Sequence, residues 1–355
     1  MDFTFTEDQI AFRDAVSRFL MTEAAPEMLR EIWETDIGRS PQLRAKIAEQ
    51  GLTGLSVPEA EGGLGLGDVD WALMTQELGY YAIPDSLADT AYVATGLLAG
   101  LPAAHPARAA WLPRIVDGSV RVAVGHPVNP WVADAHLAGL LLLPHDDGAG
   151  LALHAVPHEA VQIEPLPSID ASRRLARVAW TPMIDTRIAD GAAGSVLWAQ
   201  ALERGALNVA GQLIGLAQRM LDMSVDYVAQ RKQFGKPIGS FQAVKHQLAD
   251  VAVKIEFARP VLYRAAAALA QGHPLTSTFV SHAKLAAADA AWSASRKGIQ
   301  VHGAMGYTWE VDLQMFMKRA WVLDAAWGDR GFHKDRLAQC LLADGAPLGP
   351  AATFA

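Results

Sequence analysis

Residues 231–250 read Arg-Lys-Gln-Phe-Gly-Lys-Pro-Ile-Gly-Ser-Phe-Gln-Ala-Val-Lys-His-Gln-Leu-Ala-Asp. Apolar residues recur at helical spacing before this stretch (Leu213, Leu216, Met220, Tyr227) and after it (Val244, Leu248, Val251, Ile255). Between them stand Gly235, Pro237 and Gly239. Neither residue type suits a helix interior, so the chain must break here. Ser240 is placed to cap the second helix by accepting a backbone N–H. The expected product is a helical hairpin whose elbow carries a planar cation, Arg231, a ring, Phe234, and an amide, Gln242. A ring to stack on, a guanidinium for phosphate and an amide for hydrogen bonds suit an adenine nucleotide. The plainer account is a solvated helix end at Arg231 and a Phe234 that plugs the hairpin.

The chain has 355 residues, 51% of them hydrophobic, enough for a large core and more than one domain. A formal charge of −8 argues against a nucleic-acid partner. The single cysteine, Cys340, excludes an internal disulfide framework. The N-terminus lacks the basic start and apolar run of a signal peptide, and the densest apolar run, Leu140 to Leu143, stops at Pro144. A soluble cytoplasmic protein with no membrane contact is expected. Ten tryptophans and many alanines suit an oligomer of packed helices.

Taken in order, the chain is expected to be mainly α. Residues 1–120 should form an N-terminal helical domain. Phe12, Val16, Phe19 and Leu20 mark a first helix capped by Thr6 or Asp8. Gly51 to Gly67 reads as a loop, and Asp68 as the cap of a helix ending at Gly79. Residues 121–187 should form a small, reduced β domain from Val120–Val124, Leu137–Leu143, Leu151–Val156 and Leu175–Trp180, with turns that include Asn129-Pro130. Its histidines, His126, His136, His145, His154 and His158, match no common metal-ligand spacing and read as surface and turn residues. Residues 188–345 should form a C-terminal four-helix bundle. Its third helix would stop at Gly298 and its fourth begin near Glu310, leaving 346–355 as a frayed tail.

The segment around Arg231 resembles the hairpin signature of the acyl-CoA dehydrogenases, FAD-dependent flavoproteins. A second segment, Gln300-Val-His-Gly-Ala-Met-Gly-Tyr-Thr308, and the N-terminal Gly51-Leu-Thr-Gly-Leu-Ser-Val-Pro-Glu-Ala-Glu-Gly-Gly-Leu64 resemble the same family. The resemblance covers nearly the whole chain. It implies that Gln300, Gly303 and Gly306 touch the ADP half of FAD, between two helices. It also implies that Arg231, Phe234 and Gln242 serve the cofactor lying on a neighbouring subunit. Ala304 stands where the family usually has a second glycine.

Two departures stand out. Where the family has a Thr-Glu-Pro-Gly-Ala-Gly-Ser-Asp-like loop against the flavin ring, this chain reads Val124-Gly-His-Pro-Val-Asn-Pro-Trp-Val-Ala-Asp134, with no Thr or Ser. Either Asn129 or Trp131 substitutes, or this β domain holds no flavin ring. Arg173 and Arg174 suit either a phosphate or a turn. The second departure concerns the base. Removing an α-proton needs a carboxylate in an apolar pocket, where burial lifts its pKa. The family's Tyr-Glu-Gly-Thr position falls on Trp327 here, and indole has no basic lone pair. The alternative family position falls on Gly205. Glu203 lies two residues away, ~200° around a helix. Asp324 and Asp329 are the other candidates.

The leading expectation is an FAD-supporting subunit of an α2β2 acyl-CoA dehydrogenase acting on a bulky acyl-CoA such as a steroid side chain. An electron-transfer flavoprotein is the acceptor that the resemblance implies. The rivals are a self-sufficient acyl-CoA dehydrogenase, homo-oligomeric and with an unorthodox carboxylate, and a flavin-free homologue that kept the fold.

Overall fold

The computed structural model describes residues 4–129, 131–346 and 349. Pro130, part of the expected Asn129-Pro130 turn, and most of the expected tail lie outside them. Eleven α-helices and nine short strands follow in order among the described residues. The N-terminal part holds α1 (Glu7–Glu23), α2 (Pro26–Glu34), α3 (Pro41–Glu49), α4 (Asp68–Tyr80), α5 (Thr95–Ala99) and α6 (Pro106–Val116). Thr6 caps α1 in a reciprocal capping box with Gln9. Asp68 stands inside the first turn of α4, not before it, and the helix runs one residue past Gly79. A π-helical stretch, Asp89–Ala94, leads directly into α5.

The strands are β1 (Val122–Val124), β2 (Val132–Ala133), β3 (Leu140–Asp146), β4 (Leu151–Pro157), β5 (Val161–Leu166), β6 (Leu175–Trp180) and β7 (Arg187–Ala189). They form a four-stranded sheet in the order β1-β3-β4-β7 and a three-stranded sheet in the order β2-β6-β5. Leu141, Leu143, Val156 and Ala176 make the core of this region, with Ile163, Val178 and Trp180 packed on it. Strand β5 has no continuous apolar run because only one of its faces is half-buried. Two of the histidines expected at the surface are buried: His154 bonds Thr186 Oγ1 through Nδ1, and His126 faces the Trp198 carbonyl.

The remainder is helical: α7 (Gly191–Gln230), the small strands β8 (Lys232–Gln233) and β9 (Lys236–Pro237), α8 (Gln242–Ala270), α9 (Thr276–His302), α10 (Leu313–Ala325) and α11 (Arg330–Leu341). At the start of α7, Asp147 accepts a hydrogen bond from the Gly191 amide at 2.9 Å, satisfying a donor that the helix leaves open. Helix α9 does not stop at Gly298. It runs on to His302, because glycine there admits Ser224 Oγ and Leu313, which would lie 3.2 and 3.3 Å from an added Cβ. Among the described residues, no helix is long and apolar enough to cross a membrane.

By contacts the chain gathers into two compact units. One comprises residues 1–26, 68–83 and 206–355, the other 27–67 and 84–205. In the first, α8, α10 and α11 pack on α9, and α4 packs on α1 and α8. Helices α4 and α7 approach so closely that a Cβ on Gly79 would overlap Gln212, and one on Gly215 would overlap Gln76. The second unit contains buried ion pairs. Arg39 grips both oxygens of Asp134 at 2.9 and 2.6 Å, and Asp85 takes Arg44 at 3.1 Å and Arg121 at 3.0 Å. Burial works against the Asp134 charge, but Arg39 holds its carboxyl below the usual range. Arg174 donates to the Thr35 carbonyl at 2.6 Å, which supports its reading as a turn-stabilising residue.

Candidate cofactor site and the place of the base

Between α7 and α8 the break takes the form of a two-residue β-hairpin. Lys232 pairs with Pro237 and Gln233 with Lys236. The tip residues, Phe234 (φ 51°) and Gly235 (φ 78°), are both left-handed, as a type I′ turn requires. Ile238 N–H donates to the Arg231 carbonyl at 2.8 Å and closes the elbow. Ser240 does not cap α8. Its hydroxyl donates to the Pro237 carbonyl at 2.7 Å, and Phe241 is the residue before the helix. Phe234 does not plug the hairpin either. It is 91% exposed, with only its ring edge near Phe241 at 6.1 Å. Arg231 and Gln242 are exposed beside it.

The second segment lies at the root of the hairpin. Tyr227, one helical turn before Arg231, stacks on His302 with ring centroids 4.2 Å apart, and its hydroxyl donates to the His302 carbonyl at 3.4 Å. Two motifs about 75 residues apart in the chain thus share one end of the bundle. Gln300 lies in the last turn of α9, so the segment begins on a helix and only then turns. Gly303 adopts φ 61°, ψ −138°, a conformation that other residues rarely take, and nothing lies within 4 Å of an added Cβ. Gln300 and Gly303 are exposed. Gly306 is buried, and a Cβ there would lie 2.8 Å from the Ile299 carbonyl oxygen, so packing by itself accounts for glycine there.

In the Val124–Asp134 stretch, His126 and Asp134 turn inward. His126 Nδ1 accepts from Val128 N–H at 3.1 Å, and Asp134 belongs to Arg39. Trp131 is 41% exposed, with the Arg177 guanidinium 5.5 Å from its ring centre.

Trp327 occupies the expected position of the base. It is buried in a left-handed conformation, φ 56°, followed by Gly328 at φ 92°. A polar network holds this turn from beneath. Lys284 Nζ donates to the Asp324 carbonyl at 2.7 Å and the Gly328 carbonyl at 3.2 Å. His333 Nε2 lies 2.9 Å from the Trp327 carbonyl, and its Nδ1 lies 3.0 Å from Ser281 Oγ. A carbonyl only accepts, so Nε2 carries the proton and Nδ1 accepts from the serine. Burial pushes the Lys284 amine down to about 8. Burial first, and the Lys284 charge second, push His333 down to about 4.

Asp324 and Asp329 line one open pocket with Trp321 and Arg330. Asp329 caps α11, accepting from Phe332 N–H at 2.8 Å. Asp324 accepts from Arg330 Nε at 2.9 Å. Glu203 is a buried residue of α7. The residues that sequence reasoning missed are Ser281, Lys284 and His333. A lysine inside the apolar run Ala283-Lys284-Leu285 was the available signal.

Residues 6–119 match the acyl-CoA dehydrogenase N-terminal domain, and residues 193–342 match its C-terminal domain. The chain is 32% identical to the acyl-CoA dehydrogenase IpdE2 of Mycolicibacterium smegmatis over 321 residues, covering 89% of this chain and 93% of that protein. Its fold matches the Tcur3481-Tcur3483 steroid ACAD with a TM-score of 0.84 at 24% identity, covering 96% of this chain and 99% of that one. It matches PigA with FAD and proline with a TM-score of 0.86 at 19% identity, covering 97% and 100%. At such identities these two solved structures speak to the fold. The relationship to IpdE2 spans nearly the full length of both chains, and on that ground the chain belongs to the acyl-CoA dehydrogenase family, whose members are oxidoreductases.

Proposed function

We propose that this chain is the FAD-supporting subunit of a two-chain acyl-CoA dehydrogenase, acting in the cytoplasm on a bulky acyl-CoA such as a steroid side chain. The observation that carries the reading is Trp327. The place where the family's chemistry needs a carboxylate is filled by a buried tryptophan, whose turn Lys284 holds at the Gly328 carbonyl and His333 at the Trp327 carbonyl. An indole N–H can donate a hydrogen bond but cannot accept the α-proton. The resemblance of the fold to a steroid ACAD named for two gene products supports the substrate class and the two-chain assembly.

The exposed residues fit the ADP half of FAD. Arg231 offers a fork for the pyrophosphate, Phe234 a free ring face, Gln242 and Gln300 amides, and Gly303 an unshielded backbone. The fit fails at the ring end, where Val124–Asp134 offers no Ser or Thr hydroxyl and His126 is turned inward. When bound, FAD supplies the acceptor for the β-hydride. This chain's residues would hold the nucleotide end, and a partner would complete the ring end.

The test is flavin stoichiometry. The chain purified alone should carry almost no flavin. Purified with its partner, the complex should hold about half an FAD per chain, from mass action on a site completed only in the complex. One FAD per chain in the isolated protein would overturn the reading.

A further inference from the structure

Arg264 lies near the far end of α8, about 33 Å along the helix axis from Gln242. Its guanidinium stacks on Phe279, in the first turns of α9, with Cζ 3.9 Å from the ring centre. Stacking settles the plane of the cation. It leaves the rim, where the N–H groups point, uncovered, because a ring face accepts nothing from them. Nε is enclosed, but the two terminal nitrogens of this half-buried residue reach the surface. Among the described residues, no carboxylate pairs with them and no other group accepts from them.

Further donors gather around the same ring. His282 stands one turn along α9 from Phe279, on the same face. Burial first, and the Arg264 charge second, lower its imidazole, and no carboxylate acts against them. His273, in the turn between the helices, lies with its ring centre 5.3 Å from that of Phe279. Its Nδ1 accepts from Leu275 N–H at 3.0 Å, so Nε2 carries the proton and is a donor. Helix α9 starts without a side-chain cap. Leu275 stands at the cap position, and the Thr276 hydroxyl donates to the Ala268 and His273 carbonyls. The amides of Ser277 and Thr278 are thus open at the positive end of a 27-residue helix. In a chain of net charge −8, these donors meet with no acid among them.

We propose that this end of the bundle binds a phosphate group. The Arg264 fork takes two of its oxygens, and His282, His273 and the first turn of α9 surround the others. A tetrahedral anion suits donors that approach from several directions, whereas a carboxylate accepts them near one plane. The residues proposed to hold FAD lie at the opposite end of α8, so the inference does not rest on that reading.

The experiment titrates the full chain with inorganic phosphate, glycerol 1-phosphate and acetate at constant ionic strength, following heat. The chain carries Arg231→Gln, so that the hairpin adds no second phosphate site. Phosphate should saturate one site per chain, with acetate at least about tenfold weaker. Tighter binding of inorganic phosphate than of glycerol 1-phosphate marks a site for the free ion. The reverse order marks a site for a phosphate ester, and both orders support the proposal. Arg264→Gln should lower phosphate affinity at least about tenfold. His282→Glu, at an exposed position, sets a carboxylate beside Arg264. It should abolish binding while leaving the melting temperature unchanged or raised, and it decides the matter if Arg264→Gln does not fold. Neither substitution should change flavin content. The inference is overturned by no saturation up to about 10 mM phosphate, by acetate binding as tightly as phosphate, or by either folded variant retaining full affinity.

Discussion

His333 has no exposed surface, and its ring is held neutral with both nitrogens engaged. Its folded pKa of about 4 lies below the ordinary 6.5, because of burial first and the Lys284 charge second. Between these values the unfolded chain takes up a proton that the folded chain refuses, so stability falls as pH drops from 6.5 towards 4. A shift of that size corresponds to roughly 3 kcal/mol across the window. Urea unfolding at pH 7 and pH 4.5 should show the loss. His333→Gln should start less stable and lose much of this slope. A wild-type curve flat over that range would show that the imidazole is protonated in place. The Trp at the base position was legible from residue identity alone. The lysine and histidine beneath it were not, because their meaning depends on which carbonyls a distant turn presents to them.

At the scale of elements, the elbow between α7 and α8 shows most clearly what local sequence can and cannot say. Gly235, Pro237 and Gly239 announce the break. They do not say that it becomes a two-residue hairpin, or that a phenylalanine stands at its tip. A bulky residue in the left-handed region costs on the order of 1–2 kcal/mol, and Phe234 recovers little of this by burial at 91% exposure. Strain with no internal compensation fits a role in contact with something outside the chain. Phe234→Asn should therefore leave the melting temperature unchanged or raise it slightly, while flavin retention in the assembled protein drops. Unchanged retention would leave the ring with no part in cofactor binding. Gly298 shows the reverse case. Read locally it looks like a helix stop, yet it is the point where Ser224 and Leu313 come close, and α9 passes straight through it.

At the scale of the whole molecule, the subunit reading assigns proton transfer to a partner chain. A general base contributes about 10²–10⁴-fold to rate. If a partner supplies the base, Glu203→Gln, Asp324→Asn and Asp329→Asn should each leave turnover of the assembly within about twofold of the parent. A hundredfold loss in any one of them would identify the base and return the chain to the self-sufficient class. By itself, the sequence determined the mainly helical character, the break at the elbow, four of the seven strands β1–β7 (β1, β3, β4 and β6), and the lack of a carboxylate at position 327. These depend on residue identity and on backbone preferences over a few positions. Only the tertiary structure decided that the Arg231 and Gln300 segments share one end of the bundle, that Gly306 serves packing, and that Lys284, Ser281 and His333 hold the Trp327 turn. Each of those outcomes depends on which atoms, brought from far along the chain, occupy the space around a group, and local preferences carry no information about that.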